Sequence, residues 1–154
     1  AIQIILKRME DMRGKFGVIV AGYTHNMHGF INSNPGLKSR FDKYFHFEDY
    51  TPDQMFIIAL SMYRKEGVMP DVDAATHLKA YFTALFNHRD EFFGNARSVR
   101  QVVAESVKNQ NLRLAAIRKE ERTPDLMATI LLEDVKEFDP KNVTGGKVKI
   151  GFKN

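Results

Sequence analysis

Two arginines have the side-chain type and the placing to act on an anion. Arg40 follows Asn34-Pro35-Gly36-Leu37-Lys38-Ser39 and precedes the aromatic run Tyr44-Phe45-His46-Phe47. Asn34 can cap a helical turn and Pro35 fits its first position, where a missing N–H costs nothing. The guanidinium is thereby delivered beside a strand-like segment rather than on a free loop. Arg97 lies in Gly94-Asn95-Ala96-Arg97-Ser98-Val99-Arg100, in the first turn of a long helical pattern, where the macrodipole disfavours a cation. A cation at a glycine-rich helix start breaks a local rule, and a nearby anion would offset the mismatch. Both arginines also have ordinary readings, Arg40 as a brace for Asp42 or Asp49 and Arg97 as a surface residue. Arg100 shares the face of Arg97 and leaves both readings open.

The remaining polar groups offer less. No Gly-x-x-x-x-Gly-Lys-Ser/Thr loop is present: Gly14-Lys15 is followed by Phe16, and Gly146-Lys147 by Val148. No apolar strand ends in paired acids that could hold magnesium, so this chain by itself is expected neither to bind nor to hydrolyse a nucleotide. His25 and His28 lack a third ligand and the sequence has no cysteine, which leaves no expected metal site. His46, between Phe45 and Phe47, is expected to face outward. Tyr81, Phe82, Phe86, Phe92 and Phe93 read as helix-packing core, because basic residues do not interleave with them as a base-stacking platform requires.

These residues must be positioned by a short α/β pattern followed by helices. Ile2, Ile5, Leu6, Met9 and Met12 fall in helical register up to a stop at Gly14. Phe-Gly-Val-Ile-Val-Ala at 16–21 is an unbroken apolar run, predicting a strand covered on both faces, with Tyr44-Phe45-His46-Phe47 as a second strand after a crossover through residues 26–40. Two strands make no stable sheet, so partners are expected beyond this sequence, with self-association or poor order near the N-terminus if they are missing. From Thr51 the chain turns helical, with Pro52 at the first position and Gln54 three residues after the cap. Gly67 ends that helix, Asp71 or Asp73 starts the next, which reaches Asn87, and a third runs from the Gly94 region to about Arg118. Residues 118–122 read as a solvated face, Met127 to Leu132 as a short apolar piece before a brief element ending near Phe138, and the Lys-Val-Lys-Ile tail as an edge hairpin or loose end.

Composition sets the outer limits. The 154 residues suit one domain or two small subdomains. A net charge of +4 without a basic tail permits an anionic ligand and does not require nucleic acid. No apolar run approaches the roughly 20 residues of a membrane helix. A cytoplasmic protein is expected, with neither nucleic acid nor membrane as a partner.

Four stretches carry a resemblance: FGVIVAGY at 16–23, NPGLKSRF at 34–41, FEDYT at 47–51 and FGNARSVR at 93–100. In this order, over a span from the first helix to about Phe138, they resemble the second half of an AAA+ ATPase module, most closely in the CbxX/CfqX family of rubisco-activase-like and sporulation protein K-like ATPases. The resemblance implies an α/β remnant of a parallel-sheet core followed by an all-α helical lid, mostly α overall. Residues 1–50 would be the second half of the nucleotide-binding core, 51–122 the lid and 123–154 a short C-terminal lid element and tail. It implies that Arg40 is the arginine finger aimed at a neighbouring subunit's ATP and that Arg97 is the sensor-2 arginine. The strand at 16–21 would carry the sensor-1 position near its end; many AAA+ proteins place asparagine or threonine there, whereas this stretch departs from that pattern by ending Ala21-Gly22-Tyr23-Thr24, which leaves the role open among Tyr23, Thr24 and Asn26. The intact protein is implied to be a hexameric ring using ATP and Mg2+ to remodel a protein substrate, while this chain alone would hold neither tightly and would be inactive. The competing expectation is a non-enzymatic helical interaction module.

Overall fold

The structure, a computed structural model, describes residues 2–90 and 93–144. Phe92 and the glycine-rich tail from Gly145 lie outside them. The chain divides into two compact units, Ala1–Glu48 and Asp49–Asn154.

In the first unit, α1 (Ile2–Asp11), α2 (Thr24–Asn32) and α3 (Pro35–Arg40) are all short. After α1 the chain turns at Gly14, whose φ of +78° suits a residue without Cβ. Asn34 caps α3 as expected, its side-chain oxygen accepting the Gly36 N–H at 2.8 Å. A Cβ on Gly36 would stand 3.1 Å from Leu6 Cδ1, so α1 and α3 approach closely there. Leu37 and Ile31 are the buried apolar residues. The strands expected at 16–21 and 44–47 are not formed: both segments are irregular, with Ile19 95% and Phe47 89% exposed. A strand is stabilised by ladder partners and a covered face, and the described residues supply neither to these segments.

The second unit is built on α4 (Pro52–Lys65), α5 (Val72–Asn87) and α6 (Ala96–Ala116). Thr51 and Gln54 form the expected capping box, with Thr51 N–H bonded to Gln54 Oε1 at 2.9 Å and Gln54 N–H to Thr51 Oγ1 at 3.3 Å. Gly67, at φ +75°, follows the end of α4. Asp71 rather than Asp73 caps α5, accepting the Ala74 N–H at 2.7 Å. After a 3-10 turn at Lys119–Glu121, Thr123 caps α7 (Pro124–Ala128), and α8 (Leu132–Val135) closes the unit. The unit is not purely helical: β1 (Met69–Pro70) and β2 (Thr129–Ile130) pair in parallel, Met69 opposite Thr129 and Pro70 opposite Ile130. Two-residue strands are too short to leave a period in the sequence.

One core serves the whole second unit. Met55, Ala59 and Tyr63 of α4 meet Leu78, Phe82 and Leu85 of α5 and Val99 and Val102 of α6, and Ile130, Val135 and Phe138 close it from the C-terminal side. The Tyr81 and Phe138 rings pack tilted at 5.4 Å, a favoured aromatic geometry. A polar seam crosses this core. Arg113 of α6 donates from Nε and Nη2 to the two carboxylate oxygens of Asp134, each at 2.9 Å, and from Nη2 to Thr129 O at 3.0 Å. Gln110 Nε2 donates to Met127 O and Thr129 O. Asp134, 1% exposed, also accepts the Leu131 N–H. Its hydrogen bond raises the Arg113 pKa further above the ordinary value, against the opposing effect of burial. Burial pushes the Tyr63 and Tyr81 phenols up to about 12.

Candidate functional site

In the second unit the candidate site is the start of α6. Asn95 has φ +47° and ψ −125°, and the Arg97 N–H bonds to Gly94 O at 2.8 Å. This is the geometry of a type II′ turn with Asn95 at its first central position, a place that favours glycine. A non-glycine residue there costs of order 1–3 kcal/mol. Gly94 is closely approached, since a Cβ on it would lie 2.5 Å from Ser98 Oγ and 3.3 Å from the Ser98 nitrogen, so Ser98 would have to shift to admit one. Ser98 and Val99 are buried, whereas Arg97 and Arg100 are exposed. The Arg97 guanidinium makes no hydrogen bond or ion pair with another described residue.

The side chain of Asn95 is used at both ends. Its Oδ1 accepts the Tyr50 N–H at 2.8 Å, and its Nδ2 donates to Asp49 Oδ1 at 2.5 Å. Asp49 Oδ2 faces Arg89 Nε at 3.4 Å, while Arg89 stacks on the Phe86 ring at 3.8 Å and donates to Phe86 O at 2.7 Å. The segment leading into α4, the end of α5 and the first turn of α6 thus converge on Asp49. Sequence reasoning passed over this cluster, although Gly94-Asn95 is itself a turn signal.

In the first unit Arg40 ends α3, and its Nη2 donates to Glu10 Oε2 at 2.5 Å while Nη1 reaches Gly36 O at 3.3 Å. The carboxylate it braces is therefore on α1, not Asp42 or Asp49. Tyr23 stands at the N-cap of α2 without a side-chain capping bond, and the Thr24 Oγ1 lies 3.5 Å from His46 Nδ1. His25 and His28 are both on α2. Among the described residues no group of three or more His, Cys, Asp or Glu could hold a metal ion. No helix among them is long and apolar enough to cross a membrane. Arg97 at the start of α6 is thus an exposed cation that pairs with no other described residue, and its charge suits an anion.

Residues 51–145 match the AAA lid domain family. The chain is 33% identical over 136 residues to protein CbbX of Cereibacter sphaeroides, covering 88% of this chain and 43% of that protein. It is 34% identical over 137 residues to the chloroplastic ribulose bisphosphate carboxylase/oxygenase activase of Cyanidioschyzon merolae, covering 88% and 45%. It is 36% identical over 115 residues to stage V sporulation protein K of Bacillus subtilis, covering 74% and 36%. The chain thus spans less than half the length of these relatives.

Proposed function

The chain belongs to the CbxX/CfqX family of AAA+ ATPases, and we propose that it is the second half of one such module, supplying Arg40 and Arg97 to ATP hydrolysis in an assembled ring. The observation that carries this reading is Arg97: an exposed guanidinium in the first turn of α6 with no partner among the described residues, inside the stretch that matches the AAA lid. An arginine held there against the helix dipole is offset by a polyphosphate. Bound ATP with Mg2+ supplies the phosphoryl group whose transfer to water drives the cycle. Arg97 orients toward the phosphates and carries their presence or loss into the helical lid. Arg40 stabilises charge on the phosphoryl oxygens of a neighbouring subunit's nucleotide, a role that contributes about 10³–10⁵ in rate in related hydrolases. Its pairing with Glu10 does not oppose this. Glu10 is 71% exposed, and a surface ion pair contributes only about 0–1 kcal/mol. Tyr23 and Thr24, at the start of α2, are the proposed sensor-1 candidates. The whole protein is proposed to act in the cytoplasm as a hexamer that remodels a protein substrate.

The test is kinetic, in the full-length ATPase that carries this chain. Arg40→Ala is expected to leave ATP binding nearly unchanged and to abolish hydrolysis; retained turnover would remove the finger assignment. Arg97→Ala is expected to weaken nucleotide affinity, hydrolysis or both, and wild-type kinetics would return Arg97 to the surface. The 154-residue chain alone is expected to show no ATPase activity.

A further inference from the structure

We propose that Asn95 is a positioning residue for Arg97: its side chain locks the turn that carries Arg97 to the Asp49-Tyr50 segment through which the chain reaches α4. The inference rests on the reading of Arg97 as a nucleotide-facing residue.

Three observations lead to it. Backbone geometry at Asn95, φ +47° and ψ −125°, is that of a glycine position, yet the chain carries a side chain there. That side chain spends its carbonyl oxygen on the Tyr50 N–H and its amide on Asp49 Oδ1, partners 45 and 46 residues away in sequence. The next amide along, Thr51 N–H, is held by Gln54 Oε1 of α4, so consecutive peptide groups of one segment are fixed to the starts of two helices. A side chain at a position that favours glycine carries a backbone cost, and here that side chain links rather than caps. Arg97 is two residues further on, and its N–H closes the same turn onto Gly94 O. Loosening the link lets the turn and its guanidinium shift relative to α4 while the core beneath, from Ser98 and Val99 inward, stays packed.

Glycine at position 95 makes the decisive variant, because it suits the turn and deletes only the link. In the full-length ATPase, Asn95→Gly is expected to keep its melting temperature, to speed hydrogen exchange at the Tyr50 amide about tenfold and to raise KM for ATP about fivefold or more with kcat largely kept. The exchanged pair, Asn95→Asp with Asp49→Asn, again sets one donor against one acceptor and keeps an acceptor for Tyr50 N–H, and is expected to bring KM back. A folded Asn95→Gly protein with a deprotected Tyr50 amide and wild-type KM overturns the proposal. If Asn95→Gly fails to fold, the exchanged pair decides: KM near wild type supports the link, and a folded double variant with KM still raised overturns it. Arg97→Ala, measured alongside, separates the two levels, since wild-type kinetics there removes the underlying role of Arg97 whatever Asn95→Gly shows.

Discussion

The two units spend similar apolar residues very differently. In the first, Leu37 and Ile31 are buried while Ile19, Phe45 and Phe47 stand in solvent. In the second, three long helices and a C-terminal return enclose a continuous core that runs from Met55 to Val143. The contrast lies in connectivity rather than composition. α4, α5 and α6 each complete their own backbone hydrogen bonds and need only side-chain contacts from one another, whereas the 16–21 and 44–47 segments need neighbouring strands before their apolar faces have anything to cover them.

Four measurements test this contrast. The largest effect is expected at Phe82, fully buried on α5: Phe82→Ala should destabilise the second unit by about 3–5 kcal/mol. Phe47→Ala in the first unit should change stability by no more than about 0.5 kcal/mol. Comparable losses in denaturant melts would abolish the distinction. Next come the two arginine–carboxylate pairs. Arg113→Ala strands the buried Asp134 carboxylate and is expected to cost about 3 kcal/mol or more. Glu10→Ala removes the exposed partner of Arg40 and should cost about 0–1 kcal/mol.

The third measurement is alkaline titration. The Tyr63 and Tyr81 phenols are raised to about 12 in the fold, above an unfolded value near 10. The folded state therefore keeps protons that the unfolded state releases, so the stabilisation is complete below about pH 10 and is lost as pH rises toward 12. The loss should be on the order of 2 kcal/mol per tyrosine. Tyr63→Phe should flatten this decline, as followed by circular dichroism against pH. The smallest effects are expected at the caps. Thr51→Ala and Asn34→Ala should each cost about 1 kcal/mol, equally in both units, because a cap acts within its own turn.

That equality explains what could be read in advance. Thr51, Gln54 and Asp71 cap helices through bonds that span three residues, so a single stretch of sequence holds both donor and acceptor. Val99, Val102 and Val103 are buried on α6 at the i, i+3, i+4 spacing of one helix face. The polar seam was illegible because Arg113 and Asp134 are 21 residues apart and each, taken alone, reads as a surface charge. The Asn95 link spans 46 residues and escaped notice for the same reason. The runs at 16–21 and 44–47 read as strands in need of partners and are irregular in the structure, since an apolar run records a demand for burial without saying whether it is met. The local chemistry around Arg40 points to Asp42 or Asp49, whereas its acidic partner in the structure is Glu10 of α1.

The parallel pairing of Met69-Pro70 with Thr129-Ile130 has a consequence for how the second unit is born. Pairing between segments so far apart in the chain is slow to form, because loop-closure entropy must be met before the contact is gained. During synthesis α4, α5 and α6 leave the ribosome first, with the Arg113 and Gln110 side chains still lacking their acceptors, since Thr129 and Asp134 arrive later. The C-terminal return can therefore dock only after α6 has been made, and its docking supplies the carboxylate with which Arg113 pairs.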